Sequence, residues 1–201
     1  MKKLAILISN AGTGTNLEAI LAAIKAKKIT AEVVVVISDN PDAPGLIHAK
    51  NSNTPIHIFN SKTELLETIL TQQFAVDYIV LAGWKKIITD KTLQTFPNKI
   101  LNMHPGLIPD DFDSMVINPD KTNALWNRGK FTNAAIHHFL ETHATYAGST
   151  IHFLSPAFDF GKVLNRCFEK IQPHDTVETL YTRVKQKENL MYVDALEKLC
   201  K

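Results

Sequence analysis

The chain has 201 residues, 45% of them hydrophobic, a length that suits one large domain whose core needs no disulfide or metal to hold it. Its 22 Lys and Arg nearly balance its 20 Asp and Glu, which argues against a nucleic-acid partner and leaves room for a small local anion site. Cys167 and Cys200 form no ligand spacing and fit a reduced, cytoplasmic compartment; no apolar run reaches the roughly 18 residues needed to cross a membrane, and Leu4 to Ile8 is too short for a signal-peptide core.

The first element in chain order is a buried strand, Leu4 to Ile8. It runs into Asn10-Ala11-Gly12-Thr13-Gly14-Thr15-Asn16 and then a helix over 16–27, with Leu17, Ile20, Leu21 and Ile24 at helical spacing. Glycines at such a junction let backbone N–H groups face a phosphate, helped by the helix dipole. An ordinary strand-to-helix turn explains the same residues, and the spelling is neither a dinucleotide fingerprint nor a P-loop. A second strand is expected at Val33 to Ile37. A helix is expected over 62–74, carrying Leu65, Leu66, Ile69 and Leu70, with Ser61 and Glu64 as a capping box.

Strands are expected again at Tyr78 to Leu81 and Ile100 to Met103. Residues 105–133 then read as a long polar loop, and such loops are often functional. Ile151 to Leu154 and Val163 to Ile171 form two further strands, with Asp159 and Gly161 in the turn between them. The last element is a helix over 176–199, capped by Asp175 or Thr176 with Glu178 in its first turn. This alternation predicts an α/β fold: a single-domain, Rossmann-like, mostly parallel twisted sheet with helices on both faces.

Asn102 and His104 alternate with Leu101 and Met103 at the carboxyl end of a strand, where open parallel sheets bind ligands. Pro105 stops the strand and keeps His104 extended. Singly, His104 reads as a turn histidine and Asp159 as a solvated turn aspartate. His137, His138, His143 and His152 invite a zinc reading, but their spacings match no zinc signature and no metal is expected. Asp110 to Asp120 lacks the glycine and the terminal glutamate of a calcium loop.

Taken together, these segments resemble the formyltransferase family that uses 10-formyltetrahydrofolate. The resemblance is carried by Leu7-Ile8-Ser9 with Gly14-Thr15-Asn16-Leu17, by Val80-Leu81-Ala82-Gly83-Trp84, and by Asn102-Met103-His104-Pro105-Gly106-Leu107-Ile108-Pro109. Gly148 to Gly161 and Arg183-Val184-Lys185-Gln186-Lys187-Glu188 complete it, in family order and over nearly the whole chain. It implies one formyltransferase domain over 1–201, with a phosphate-binding half at 1–100 and a catalytic, folate-binding half at 101–201. The implied substrates are 10-formyltetrahydrofolate and glycinamide ribonucleotide, as in purine synthesis, and the implied assembly is a monomer or homodimer. Alternatives are a sugar-nucleotide amine, an aminoacyl-tRNA or water as formyl acceptor, or a non-enzymatic folate-binding relative.

The resemblance also assigns residues. Asn102, His104 and Asp159 are the catalytic set, and His152 stands behind them. Gly14, Thr15, Asn16, Lys185 and Glu188 hold the nucleotide substrate. Trp84, Lys85, Lys86, Ile87 and Ile88, with Ser155, Pro156, Ala157 and Phe158, line the folate pocket. Chemically, an amine attacks a formyl carbonyl, so donors aimed at the developing oxyanion matter most. His104, if charged, and the Asn102 amide are such donors, and Asp159 can hold His104 charged and relay a proton. The family's Lys-aromatic-Pro-Gly loop after the His-Pro motif is replaced here by Asp110-Asp111-Phe112-Asp113-Ser114.

Overall fold

The computed structural model describes residues 1–10 and 12–201, and it comprises two compact units, Met1–Asn102 with Tyr192–Lys201, and Met103–Met191. In the first unit, β1 (Lys2–Ile8), β2 (Ala31–Ser38), β3 (Ile56–Ile58), β4 (Tyr78–Leu81) and the start of β5 (Ile100–His104) pair in the order β3-β2-β1-β4-β5. All these pairings are parallel, with Ile6 opposite Val36 on one side and Val80 on the other. Leu4, Ala5, Ile6 and Leu7 of the central strand have no exposed surface. A strand covered on both faces must be apolar at every position, which is why β1 reads as an unbroken run. Burying Leu4, Ile6 or Leu7 stabilises the fold by roughly 1.5–3 kcal/mol each.

Helices α1 (Thr15–Lys25), α2 (Leu46–Asn51), α3 (Leu66–Thr68) and α4 (Asp90–Thr95) connect these strands. Thr89 caps α4, its hydroxyl accepting from the Thr92 N–H. The loops after β1 and β4 are tied to each other: Ser9 Oγ accepts the Lys85 N–H at 3.0 Å. The buried Tyr192, near the end of α6 (Val177–Leu199), donates its hydroxyl to the Leu81 carbonyl at 2.7 Å.

The helix expected over 62–74 is corrected by the structure. Leu65 is extended (φ −108°, ψ 122°), α3 is a single short turn, and the chain continues through a wider π-turn over Ile69–Gln73. The capping box does not form because the preceding turn captures Glu64. The Thr63 and Glu64 N–H groups donate to the Asn60 carbonyl, and the Glu64 carboxylate accepts the Asn60 N–H at 2.7 Å.

In the second unit, β6 (Tyr146–Phe153) and β7 (Val163–Lys170) form an antiparallel hairpin. Its core gathers Ile136 and Phe139 of α5 (Thr132–Glu141), Ala147 of β6, and Leu180 and Val184 of α6. Arg183 ties α6 down, reaching Asp175 at 2.6 Å and Glu169 of β7 at 2.8 Å. Residues 105–131 stay irregular, as expected. Arg166 of β7 holds their start by donating to the Ile108 carbonyl at 2.8 Å and to the Asp110 carboxylate at 2.9 Å. No helix among the described residues is long and apolar enough to cross a membrane.

Candidate active site

His104 ends β5 and is 1% exposed. The turn after it is fixed by Thr150, which accepts the Ile108 N–H and donates to the Gly106 carbonyl. The Nε2 atom of His104 lies 2.7 Å from the main-chain carbonyl of Trp126. A carbonyl only accepts, so Nε2 carries the hydrogen. The approach requires a glycine at 106, since a Cβ there would sit 1.8 Å from the same carbonyl oxygen.

On its other side, Nδ1 faces Asp159 Oδ1 at 3.6 Å. Asp159 has a left-handed backbone (φ 49°), a conformation uncommon outside glycine. Its carbonyl accepts the Trp126 indole N–H at 3.0 Å, and its Oδ2 accepts the Gly129 N–H at 2.7 Å. Burial pushes the His104 pKa down; the Asp159 charge and the Trp126 carbonyl pull it up, and burial wins. The resting ring is therefore neutral at neutral pH. His152 is fully buried with its ring 6.5 Å from that of His104, and burial pushes its pKa down to about 4.

The neighbouring turn carries Ser155, Pro156, Ala157 and Phe158. Ser155 shapes it by donating to the Phe160 carbonyl at 2.8 Å and accepting the Ala157 N–H at 3.2 Å. Phe158 is 65% exposed, while its carbonyl accepts the Arg128 Nε–H. Farther along the same unit, Lys185 and Glu188 on α6 pair at 3.0 Å. This is no solvated surface pair: Glu188 is 3% exposed and accepts the buried Ser149 hydroxyl at 2.6 Å.

In the first unit, Gly14 caps α1 with φ 80°. It packs directly on the residue that leads α2, since a Cβ on Gly14 would sit 2.6 Å from the Gly45 Cα. The Thr13 carbonyl is 3.1 Å from His48 Nε2. Beyond the turn, the Thr15 hydroxyl and the Asn16 amide oxygen are buried and find no hydrogen-bond partner among the described residues. Ala11 of this loop lies outside the described residues. The Trp84 ring is tilted against that of Phe59 at 6.1 Å, and its buried indole N–H also finds no partner among the described residues. Lys86 reaches Asp39 at 3.8 Å; Ile87 is 90% exposed and Ile88 half-buried. Asn102 is half-buried on β5, two positions before His104.

The second unit thus brings together His104, Asp159, His152 and the 155–158 turn, while the first holds the glycine loop and Trp84 to Ile88. Among the described residues, no three His, Cys, Asp or Glu side chains gather as a metal set. A family model described as formyl transferase matches residues 2–196. The chain belongs to the formyl transferase family.

This formyl transferase is 34% identical to the phosphoribosylglycinamide formyltransferase of Haemophilus influenzae, over 96% of its own length and 84% of the relative's. It is 29% identical to the chloroplastic phosphoribosylglycinamide formyltransferase of Arabidopsis thaliana over 99% of its length, and spans 65% of that longer protein. The crystal structure of phosphoribosylglycinamide formyltransferase from Bacillus halodurans superposes with a TM-score of 0.81 at 27% identity, covering 98% of this chain and 95% of that one.

Residues that sequence reasoning missed stand behind the ones it found. Trp126 and Gly129 hold His104 and Asp159, and Ser149 holds Glu188. For Trp126 the available signal was a large aromatic among turn formers, directly before Asn127-Arg128-Gly129. Ser149 carried no signal beyond its place in the Gly148 to Gly161 segment of this formyl transferase.

Proposed function

We propose that the chain transfers the formyl group of 10-formyltetrahydrofolate to the amine of glycinamide ribonucleotide, with Asn102, His104 and Asp159 as the catalytic set. The observation that carries this reading is the pairing of buried His104 with half-buried Asp159 at 3.6 Å, in a formyl transferase whose relatives carry that acceptor in their names.

The amine nitrogen bonds to the formyl carbon while an oxyanion develops, and the Asn102 side-chain amide is a donor suited to it. The amine loses one proton overall and the folate nitrogen gains one when its bond to the formyl carbon breaks. Nδ1 of a neutral His104, facing the Asp159 carboxylate, is the group that can accept the first proton and return it. Gly14, Thr15, Asn16, Lys185 and Glu188 serve the phosphorylated acceptor, supported by the unpartnered Thr15 and Asn16 oxygens. Trp84, Lys85, Lys86, Ile87 and Ile88 with Ser155, Pro156, Ala157 and Phe158 serve the folate, where the unpartnered Trp84 N–H supports the reading.

The test is a formyl-transfer assay with purified protein, both substrates, and water or a sugar-nucleotide amine as competing acceptors. Formylated glycinamide ribonucleotide is the expected product, and His104→Ala is expected to abolish it while remaining folded. Transfer to another acceptor alone would overturn the substrate assignment, and normal turnover in the variant would overturn the catalytic one.

A further inference from the structure

One short stretch, residues 126–129, touches both members of the reactive pair. The Trp126 carbonyl accepts the His104 Nε2–H at 2.7 Å, and the Trp126 indole N–H donates to the Asp159 carbonyl at 3.0 Å. Gly129 adds its N–H to Asp159 Oδ2 at 2.7 Å. We propose that Trp126 is a positioning residue for formyl transfer: its main chain sets which nitrogen of His104 carries hydrogen, and its side chain sets where the Asp159 carboxylate stands. The inference rests on the function proposed above.

The energetics favour a fixed clamp over incidental packing. Asp159 keeps a left-handed backbone, φ 49°, a conformation that aspartate tolerates better than most residues but holds in one place only where local contacts fix it. The indole and Gly129 donors are those contacts. Trp126 is itself immobilised, with its ring 5.5 Å from Phe112 and 5.7 Å from Phe160, and the Arg128 guanidinium 5.3 Å away over it. The next residue, Asn127, is 5% exposed and donates to the Pro105 and Ala135 carbonyls, while its amide oxygen meets His138 Nδ1 at 2.6 Å. Packing alone explains a half-buried indole. It does not explain why the carbonyl and the indole N–H of one residue end on the two residues of the reactive pair.

Three groups face His104 and set its protonation: the Trp126 carbonyl, the Asp159 carboxylate and the neutral ring of His152. Trp126→Phe keeps an aromatic ring at 126 and deletes the N–H. Benzothienylalanine at 126 keeps the bicyclic shape with sulfur in place of N–H, and serves if the Phe variant folds poorly. Either change frees the Asp159 turn and draws its carboxylate from His104. The expected result is a loss of about 10- to 100-fold in kcat, the size associated with small misplacements of reacting groups. KM for both substrates should change less than about threefold, since uniform binding is untouched. The acid limb of the kcat/KM profile should move to lower pH, because a charge that raised the His104 pKa has withdrawn. Imidazole 15N shifts should show His104 still in its Nε2–H form but titrating lower.

Unchanged kcat with an unmoved acid limb in a folded variant would overturn the proposal, as would a loss confined to KM. If the wild-type protein formylates no glycinamide ribonucleotide, the functional reading fails. The 15N titration of His104 then still decides whether Trp126 positions the pair.

Discussion

Ser149 donates a 2.6 Å hydrogen bond to Glu188 Oε1, so a fully buried hydroxyl on β6 fixes a nearly buried carboxylate on α6. Lys185 completes the arrangement at Glu188 Oε2. Ser149→Ala should lower the unfolding free energy by about 1–3 kcal/mol, because it strips a donor from a buried charged acceptor. Glu188→Gln should raise KM for the nucleotide acceptor about tenfold or more, matching the loss of a hydrogen bond to a charged group. KM for the folate donor should change far less. Chemical denaturation reads the first effect and steady-state kinetics the second; equal effects on the two KM values would remove Glu188 from the acceptor site.

The histidines make stability depend on pH in a defined window. His152 has its pKa lowered from 6.5 to about 4, and His104 is lowered too. The unfolded chain binds these protons first, so stability is full above pH 6.5 and falls as pH drops toward 4. The His152 contribution alone amounts to about 3 kcal/mol across that window. Carboxylates such as Asp175, held low by Arg183, and Glu169, held low against its burial by Lys187 and Arg183, lose their contributions only at more acid pH. His152→Asn should flatten the pH dependence between 6.5 and 4.5 in equilibrium denaturation; an unchanged slope would show that His152 titrates normally.

Gly14 has no room for a side chain. Gly14→Ala places a Cβ 2.6 Å from the Gly45 Cα and imposes a left-handed alanine at φ 80°. The backbone term alone costs about 1–2 kcal/mol. The clash adds to it and displaces the loop from α2. A lowered denaturation midpoint is expected, with a larger rise in KM for the phosphorylated acceptor than for folate. A variant as stable as the wild type would show that the loop can move away from Gly45 freely.

Tyr192→Phe tests how the loop after β4 is held. Removing the hydroxyl leaves the Leu81 carbonyl without its 2.7 Å donor. A loss of about 1–3 kcal/mol is expected from the buried acceptor. Weaker binding of a folate analogue, measured by titration calorimetry, should accompany it, because Leu81 leads into Trp84 to Ile88. Unaltered folate affinity in the destabilised variant would confine Tyr192 to the core.

Strands β1, β2 and β4 were legible because each holds an unbroken apolar run, which parallel strands covered on both faces require, and β5 by its apolar start at Ile100 and Leu101. Strand β6 was half-hidden. It begins at Tyr146, five positions before the expected start, and its polar Ser149 and Thr150 are fully buried. Their hydroxyls are satisfied by Glu188 and by the 106–108 turn, partners no local pattern reveals. The helix over 62–74 misled because Glu64 fits two local structures, and the Asn60 turn wins it. His104 and Asp159 were legible as a pair through family order. Trp126 was not, since it meets His104 through its backbone, across 22 residues of irregular chain.

The placement of Trp126 also gives the protein a built-in optical probe. The chain has two tryptophans, and one lies in each unit: Trp84 after β4, and Trp126 against His104 and Asp159 with a guanidinium over its ring. Indole emission responds to nearby charge and to solvent. With Trp84 replaced by Phe, the spectrum belongs to Trp126 alone and reports on Asp159, Arg128 and the loop around them in real time, without a label.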